Sequence, residues 1–266
     1  MKTRVITAIV ALALFVPVLI FHDTYIFTIV MALLSAVAVY ELTTCVGATL
    51  LLKVAGTVIG AVLPIIADID IVGDYTATLF RHLALPIAIL AVAIMLMAYA
   101  FRPKKTFLPM YIASVIYPST GFGLIVFYNR FEMYPLIFLM FFIASWVTDT
   151  FALFSGKLFG RNKLCPILSP KKTVEGAVGG TIATVLVFLI YGLIFEVPIL
   201  ESIFLGLLLS VSGQCGDLLA SAVKRAYDIK DYGKIFPGHG GVMDRFDSVL
   251  LVAHIFNAFS IIYLMI

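Results

Sequence analysis

Long apolar segments separated by short polar ones dominate this chain. The apolar positions run almost without interruption, whereas a membrane β-barrel strand would alternate apolar and polar residues. Segments of about 20 such residues are long enough to cross a bilayer, where the backbone must bond internally as a helix. The predicted spans are 5–22, 25–42, 48–67, 82–101, 107–127, 134–155, 174–195, 198–224 and 245–265.

The composition supports this interpretation. Of 266 residues, 62% are hydrophobic and only 12% are charged, and the mean hydropathy is +1.12. A soluble domain of this size is far less apolar. We therefore predict an all-α, polytopic integral membrane protein with about nine transmembrane helices. We divide it into scaffold helices at 1–133 and a catalytic region with two cytoplasmic loops at 134–266.

The distribution of Lys and Arg predicts the orientation of the spans. The first span follows Lys2 and Arg4 and lacks a small-residue cleavage site, so we interpret it as an uncleaved helix. If the N-terminus lies in the cytoplasm and successive spans cross the membrane in alternating directions, the basic loops 102–105, 157–172 and 224–245 all lie inside. Among the Lys and Arg residues, only Arg81 and Arg130 then fall outside. The acidic side chains expected outside include Asp68, Asp70, Asp74, Glu132 and Glu196.

Charged side chains are concentrated around the last two spans. Carboxylates beside a bilayer are costly and usually functional, and Asp217, Asp244 and Asp247 offer the hard oxygen ligands that Mg²⁺ prefers. An intramembrane ion pair with a nearby Lys or Arg is the alternative for Asp217. The cations suited to phosphates in this stretch are Lys224, Arg225, Lys230, Lys234 and Arg245. Metal ligands beside cations are what phosphoryl or nucleotidyl transfer requires.

A glycine-rich loop lies between these two spans. Gly240 and Gly241 allow a close backbone approach, so that N–H groups can surround an anion. For the neighbouring His239 three roles remain open: binding phosphate, donating a proton, or capping the loop.

A second charged group precedes span seven. Ser169 and Pro170 are expected to be the N-cap and first residue of that helix, which places Lys171 and Lys172 in its first turn. Cations there oppose the helix dipole unless an anion neutralises them, so we predict a triphosphate site. The alternative is that both lysines only anchor the loop in the cytoplasm.

Two further features lie on the helices around this group. Asp149 lies inside an apolar helix, where a carboxylate needs a partner or a function. Gly176 and Gly180 form a small-residue pair that indicates close helix packing.

These residues together resemble the signature of the phosphatidate cytidylyltransferases, also called CDP-diacylglycerol synthases. The downstream pattern comprises Ser221, Lys224-Arg225, Lys230-Asp231, Gly233, Pro237, His239-Gly240-Gly241, Asp244-Arg245 and Asp247. The upstream pattern comprises Asp149, Gly156, Phe159-Gly160, Lys163-Leu164, Pro166, Ser169-Pro170-Lys171-Lys172-Thr173 and Glu175-Gly176. The resemblance covers about the C-terminal half.

The resemblance implies that CTP and phosphatidate react to give CDP-diacylglycerol and pyrophosphate. It also implies Mg²⁺, alone or with a monovalent cation such as K⁺, at a centre associated with Asp217 and Asp244. A homodimer in the inner cell membrane, with its active site facing the cytoplasm, completes the expectation. Catalytic roles are predicted for Asp217, Lys224, Arg225, His239, Asp244, Arg245 and Asp247. Substrate contacts are predicted for Asp149, Ser169, Lys171, Lys172, Ser221, Lys230, Asp231, Gly240 and Gly241.

Three other classes of protein fit the sequence less well. A CDP-alcohol phosphotransferase has a different aspartate pattern, which is absent here, and a polyprenol or dolichol kinase lacks the full signature. A cation-coupled transporter binding ions at Asp149 and Asp217 has no need of a basic, glycine-rich loop. No feature indicates nucleic-acid binding.

Overall fold

The computed structural model describes residues 2–68, 74–101, 107–131 and 133–263. All nine predicted spans are helices, and the limits differ most at α4, which begins at Asp74 instead of residue 82. The helices are α1 (Lys2–Ile20), α2 (Tyr25–Cys45), α3 (Leu50–Asp68), α4 (Asp74–Phe101), α5 (Phe107–Asn129), α6 (Ile137–Phe159), α7 (Val174–Phe195), α8 (Ile199–Ala226) and α9 (Met243–Tyr263). A short antiparallel hairpin, β1 (Lys163–Cys165) and β2 (Ser169–Thr173), joins α6 to α7.

Eight of these helices, α2 to α9, are long and apolar enough to cross a membrane. The apolar part of α1 that is described, Ile9–Ile20, is shorter. The prediction of an all-α, polytopic membrane protein is therefore confirmed.

The chain forms two compact units, each containing parts of α8 and α9. The first comprises residues 1–130, 222–246 and 257–266, and the second comprises 131–221 and 247–256.

In the first unit, α2, α3 and α5 pack together and α4 lies against α5. Small residues make this packing close: a Cβ added at Gly56 of α3 would lie 2.9 Å from Val115 of α5. A Cβ at Gly60 would lie 2.8 Å from Val39 of α2. Because the helix backbones approach at these glycines, dispersion contacts replace the hydrophobic driving force that lipid cannot supply.

One ion pair in the first unit explains an exception to the charge distribution. Arg130, predicted to lie outside, contacts Asp68 at the end of α3, with 2.8 Å between Nη2 and Oδ1. The Asp68 side chain is 5% exposed and also accepts a hydrogen bond from Thr28. A cation at this position therefore compensates a buried carboxylate.

In the second unit, α6 packs against α7. The prediction from Gly176 and Gly180 is confirmed, because added Cβ atoms would lie 2.6 Å from the Ala152 carbonyl and 2.5 Å from the Thr148 carbonyl. The Thr148 hydroxyl also joins α7 and α8, at 2.7 Å from Thr184 Oγ1 and 3.0 Å from Ser210 Oγ.

The predicted N-cap of α7 is wrong, although the predicted span, 174–195, matches the observed helix. Ser169 and Pro170 begin strand β2, and Thr173 is the N-cap of α7, with its hydroxyl accepting the Gly176 N–H. Pairing with β1 extends the backbone here, and β2 registers Ser169 against Cys165 and Thr173 against Lys163. Lys171 and Lys172 therefore precede the helix, and their predicted conflict with its dipole does not arise.

Several of the predicted positions fall outside the described part of the chain. These are Asp70, Glu132 and the basic loop 102–105. The side chains of Lys2, Arg4, Asp74 and Arg81 are also outside it.

Candidate active site

An ion pair in the second unit joins the upstream and downstream motifs. Lys172 of β2 contacts Asp217 of α8 through its Nζ atom and the Oδ2 atom of the carboxylate. Both side chains are partly exposed, at 25% and 28%. The ion pair considered as the alternative for Asp217 is therefore present, and its cation is one of the lysines assigned to the triphosphate.

The same unit brings α8 and α9 into close contact beside this pair. A Cβ added at Gly216 would lie 2.7 Å from the carbonyl oxygen of Asp247. The glycine next to Asp217 thus lets α8 approach the backbone of Asp247. Asp247 itself is buried and accepts the Ser248 N–H at 2.8 Å.

A second carboxylate–lysine pair lies in the first unit. Lys224 Nζ lies 2.9 Å from Asp244 Oδ1, and the two side chains are 13% and 2% exposed. The lysine also lies 5.2 Å from the centroid of the Tyr232 ring, which favours a cation electrostatically. The Lys224 side chain, in the last turn of α8, is thus held against Asp244 and Tyr232 rather than projecting towards solvent.

Asp244 also fixes the glycine-rich loop. Its Oδ2 atom accepts the N–H groups of Tyr232 at 2.8 Å and Gly241 at 2.9 Å. A Cβ at Gly240, whose φ is +85°, would lie 2.6 Å from that same oxygen. Glycine at 240 is therefore required both by the backbone conformation and by the carboxylate packed against it.

Sequence reasoning missed Glu41, which lies in the predicted scaffold. Glu41 is 4% exposed, and its carboxylate accepts the N–H groups of Val242 and Met243. The signal available was an acidic residue near the end of an apolar helix, which is costly without a partner. The sequence could not show that the partners, Val242 and Met243, lie 201 and 202 positions further along the chain.

The remaining predicted cations are mostly exposed. Arg225 donates to the Ile229 carbonyl at 3.3 Å and keeps the rest of its guanidinium available. Exposed side chains that could meet phosphates are Lys171, Arg225, Lys230, Lys234 and Arg245. They differ in this respect from Lys172 and Lys224, each of which contacts a carboxylate.

The other predicted site residues occupy varied environments. The Nδ1 atom of His239 is buried without a hydrogen-bond partner in the described part of the chain, and the three roles considered for this residue stay predictions. Asp149 and Asp231 are exposed, whereas Ser169 and Ser221 are half-buried.

The carboxylate oxygens of the predicted metal ligands Asp217, Asp244 and Asp247 are of the type that Mg²⁺ prefers. Among the described residues no group of three His, Cys, Asp or Glu side chains could hold a metal ion by itself. Mg²⁺ is commonly bound by one or two carboxylates and completed by substrate phosphates and water, so a preformed cage is not needed. The three hydrogen bonds to Asp244 leave further lone-pair capacity, because a carboxylate has about four lone-pair sites.

An apolar cavity of about 390 Å³ lies elsewhere in the first unit, between α3, α4 and α5. It includes Leu63, Ile87 and Ile116, and none of the predicted site residues line it. Without convergent charged groups this cavity does not suit a nucleotide.

Comparison with known proteins identifies the class. A model of the cytidylyltransferase family matches residues 2–263, and the chain belongs to that family. A phosphatidate cytidylyltransferase of Staphylococcus haemolyticus is 34% identical, over 97% of this chain and 98% of that protein. Those of Staphylococcus saprophyticus and Staphylococcus aureus strain COL are 34% and 33% identical, with the same coverage.

Proposed function

We propose that this protein is the membrane enzyme that transfers the cytidylyl group of CTP to phosphatidate. The products are CDP-diacylglycerol and pyrophosphate. The observation that carries the proposal is the full-length similarity to phosphatidate cytidylyltransferases, together with two carboxylate–lysine pairs in the signature motifs.

The reaction needs little covalent chemistry from the protein. A phosphate oxygen of phosphatidate attacks the α-phosphorus of CTP, forming a new P–O bond, and the bond to the pyrophosphate oxygen breaks. Both reactants are anions, so the main barrier is bringing them together and stabilising the charge that develops on the leaving group. Cations placed around the phosphates lower that barrier.

We assign the metal-binding role to Asp217, Asp244 and Asp247. Each of these carboxylates would supply hard oxygen ligands to Mg²⁺, which commonly also takes oxygens of substrate phosphates. A bound ion, alone or with K⁺, would supply charge stabilisation at the phosphoryl group being transferred. The ion pair with Lys172 supports this assignment for Asp217, because it places the carboxylate beside the hairpin of the upstream motif and leaves it 28% exposed.

The cations divide by their contacts. Lys171 and the other exposed cations are free to bind CTP and lipid phosphates, whereas Lys172 and Lys224 hold carboxylates in place. Lys171 follows Pro170 on the exposed hairpin, and we assign it to the triphosphate of CTP.

We further propose that the protein is a homodimer in the cell membrane with the site facing the cytoplasm. The distribution of positive charge supports this orientation, because basic loops are retained on the cytoplasmic side. The same orientation gives the site access to CTP, which is a cytoplasmic substrate. Mass measurement of the detergent-solubilised protein tests the homodimer.

The decisive experiment incubates purified protein with CTP, Mg²⁺ and phosphatidate. We expect stoichiometric pyrophosphate and CDP-diacylglycerol, and no product when phosphatidate is replaced by diacylglycerol. A lipid kinase would instead convert diacylglycerol to phosphatidate and release a nucleoside diphosphate. Asp217→Asn serves as the matched variant, with turnover expected to be at least about 100-fold lower, and transfer at the wild-type rate by this folded variant would remove Asp217 from the site.

A further inference from the structure

Glu41 has an unusual environment for a residue on a membrane helix. It lies near the C-terminal end of α2, in the first unit, and only 4% of its surface is exposed. Burying a carboxylate is costly unless hydrogen bonds replace the lost water. The backbone N–H groups around Glu41 supply these hydrogen bonds, and they belong to the start of α9.

The carboxylate caps the beginning of α9. Its Oε1 atom accepts the Val242 N–H at 3.1 Å, and its Oε2 atom accepts the Met243 N–H at 2.9 Å. The first N–H groups of a helix have no partner within the helix, and a negative charge there is favoured by the helix dipole. Glu41 performs this capping role from another helix, 201 positions away from Val242.

Two glycines enclose the same carboxylate. A Cβ added at Gly233 or at Gly241 would overlap atoms of Glu41. Neither glycine has a positive φ, unlike Gly238 and Gly240. The space taken by Glu41, rather than an unusual backbone conformation, therefore requires glycine at these two positions.

Glu41 and Asp244 share the donors of one short segment. The Gly241 N–H points to Asp244, and the next two N–H groups point to Glu41. Three successive backbone groups are thus divided between two buried carboxylates. Displacing Glu41 therefore shifts the segment that positions Asp244.

We propose that Glu41 is a positioning residue for cytidylyl transfer. It fixes the glycine-rich loop and the first turn of α9, and through them the carboxylate of Asp244 and the guanidinium of Arg245. This inference rests on the proposed function and assigns a role to the N-terminal helices, which carry none of the signature motifs. Glu41 does not itself contact the reacting phosphates in this proposal.

The first test compares Glu41→Gln and Glu41→Ala with Ser35→Ala as the matched control. Ser35 lies on the same helix, is fully buried, and has no hydrogen-bond partner for its hydroxyl in the described part of the chain. Glutamine keeps one acceptor oxygen but turns an amide N–H group towards the second donor. We expect kcat to fall about 10-fold in Glu41→Gln and about 100-fold in Glu41→Ala, as for a misplaced catalytic group. The KM for CTP should stay within about threefold of wild type, because the nucleotide contacts remain.

Limited trypsin digestion follows the loop itself. Lys230 and Lys234 are exposed cleavage sites within it. We expect cleavage after these lysines to be at least about threefold faster in both Glu41 variants, at a temperature well below unfolding, because local opening is easier. The Ser35→Ala variant should match wild type in both kinetics and digestion.

A double-mutant cycle tests whether the Glu41 side chain occupies the space that a side chain at position 241 would need. Gly241→Ala alone places a methyl group against the Glu41 carboxylate and should strongly reduce kcat. In Glu41→Ala/Gly241→Ala that collision is removed, so the combined loss should be smaller than the product of the two single losses. Losses that simply multiply would show that the two residues do not compete for space.

The outcomes separate this inference from the function on which it rests. Wild-type protein that releases no pyrophosphate would overturn the proposed function, while digestion would still report whether Glu41 holds the loop. Active wild type with unchanged kcat and unchanged digestion in Glu41→Gln would overturn the positioning role. A lowered thermal midpoint with unchanged kcat would also overturn it, because Glu41 would then be only a structural cap.

Discussion

Lys224 and Asp244 form a nearly buried ion pair, with 2.9 Å between Nζ and Oδ1. The carboxylate also receives two backbone N–H groups, so the pair is both an electrostatic contact and the anchor of a loop. Removing one member of such a pair leaves a buried charge without compensation.

We predict that Asp244→Asn lowers kcat by at least about 100-fold, comparable to the loss of a key electrostatic stabiliser. The asparagine side chain cannot match the charge of the carboxylate towards either Lys224 or Mg²⁺. Steady-state kinetics at saturating Mg²⁺ check this. A folded variant with near wild-type kcat would remove Asp244 from the site.

The ion pair of Lys172 with Asp217 leads to a prediction that distinguishes the roles of Lys171 and Lys172. Lys171 is exposed, whereas Lys172 contacts Asp217. We expect Lys171→Ala to raise the KM for CTP with little change in kcat, and Lys172→Ala to lower kcat, because Asp217 loses the cation that orients it. The two kinetic parameters, measured with CTP varied at saturating phosphatidate, distinguish the variants. Identical effects from both lysines would contradict this division of roles.

The membrane helices could be predicted from sequence because a bilayer imposes simple requirements. Length and hydropathy are sufficient to find a span, and all nine predicted segments are helices. The close packing expected from Gly176 and Gly180 could be predicted because only a small side chain permits such an approach.

The hairpin between α6 and α7 could not be predicted in the same way. Ser169 followed by Pro170 is a common helix start, and nothing local shows that Ser169 pairs with Cys165. Strand pairing depends on a partner segment, and its geometry overrides the local preference. The link between Glu41 and the loop was hidden for the same reason, because it is a contact distant in sequence.

Arg130→Ala should destabilise the first unit without damaging catalysis directly. Among the described residues, it leaves the Asp68 carboxylate, 5% exposed, with the Thr28 hydroxyl as its one remaining partner. We expect a loss of about 1–3 kcal/mol, the cost of an unsatisfied buried group, seen as a lower thermal midpoint in detergent. Kinetics of the folded fraction should match wild type.

A matched control for Arg130 is available on the chain. Asp23→Asn removes a carboxylate that is 86% exposed and contacts only His22 among the ion pairs of the described residues. A surface pair of this kind is worth little, so the thermal midpoint should barely move. Equal shifts for Arg130→Ala and Asp23→Asn would show that the burial of Asp68 is unimportant.

The interface between α6 and α7 in the second unit gives a prediction about the size of the side chain at position 180. Gly180 faces the Thr148 carbonyl so closely that a larger side chain must separate α6 from α7. We expect Gly180→Leu to lower the thermal midpoint and reduce the yield of folded protein, because overpacking strains a close interface. Val178→Leu, at a position that is 53% exposed on the same helix, should have little effect. Normal folding of Gly180→Leu would contradict the close packing.

The orientation in the membrane can be tested at the tip of the hairpin. Ile167 lies between β1 and β2 and is 80% exposed, so a single cysteine there is accessible to a water-soluble thiol reagent. The orientation given by the positive-inside rule predicts that this loop faces the cytoplasm, whereas Asp23, just beyond the end of α1, faces outside. In a background lacking Cys45, Cys165 and Cys215, intact cells should therefore label Asp23→Cys and leave Ile167→Cys unlabelled. Permeabilised cells should label both, which shows that the absence of signal in intact cells reflects sidedness and not burial. Labelling of Ile167→Cys in intact cells would reverse the orientation, and with it the proposed access of CTP from the cytoplasm.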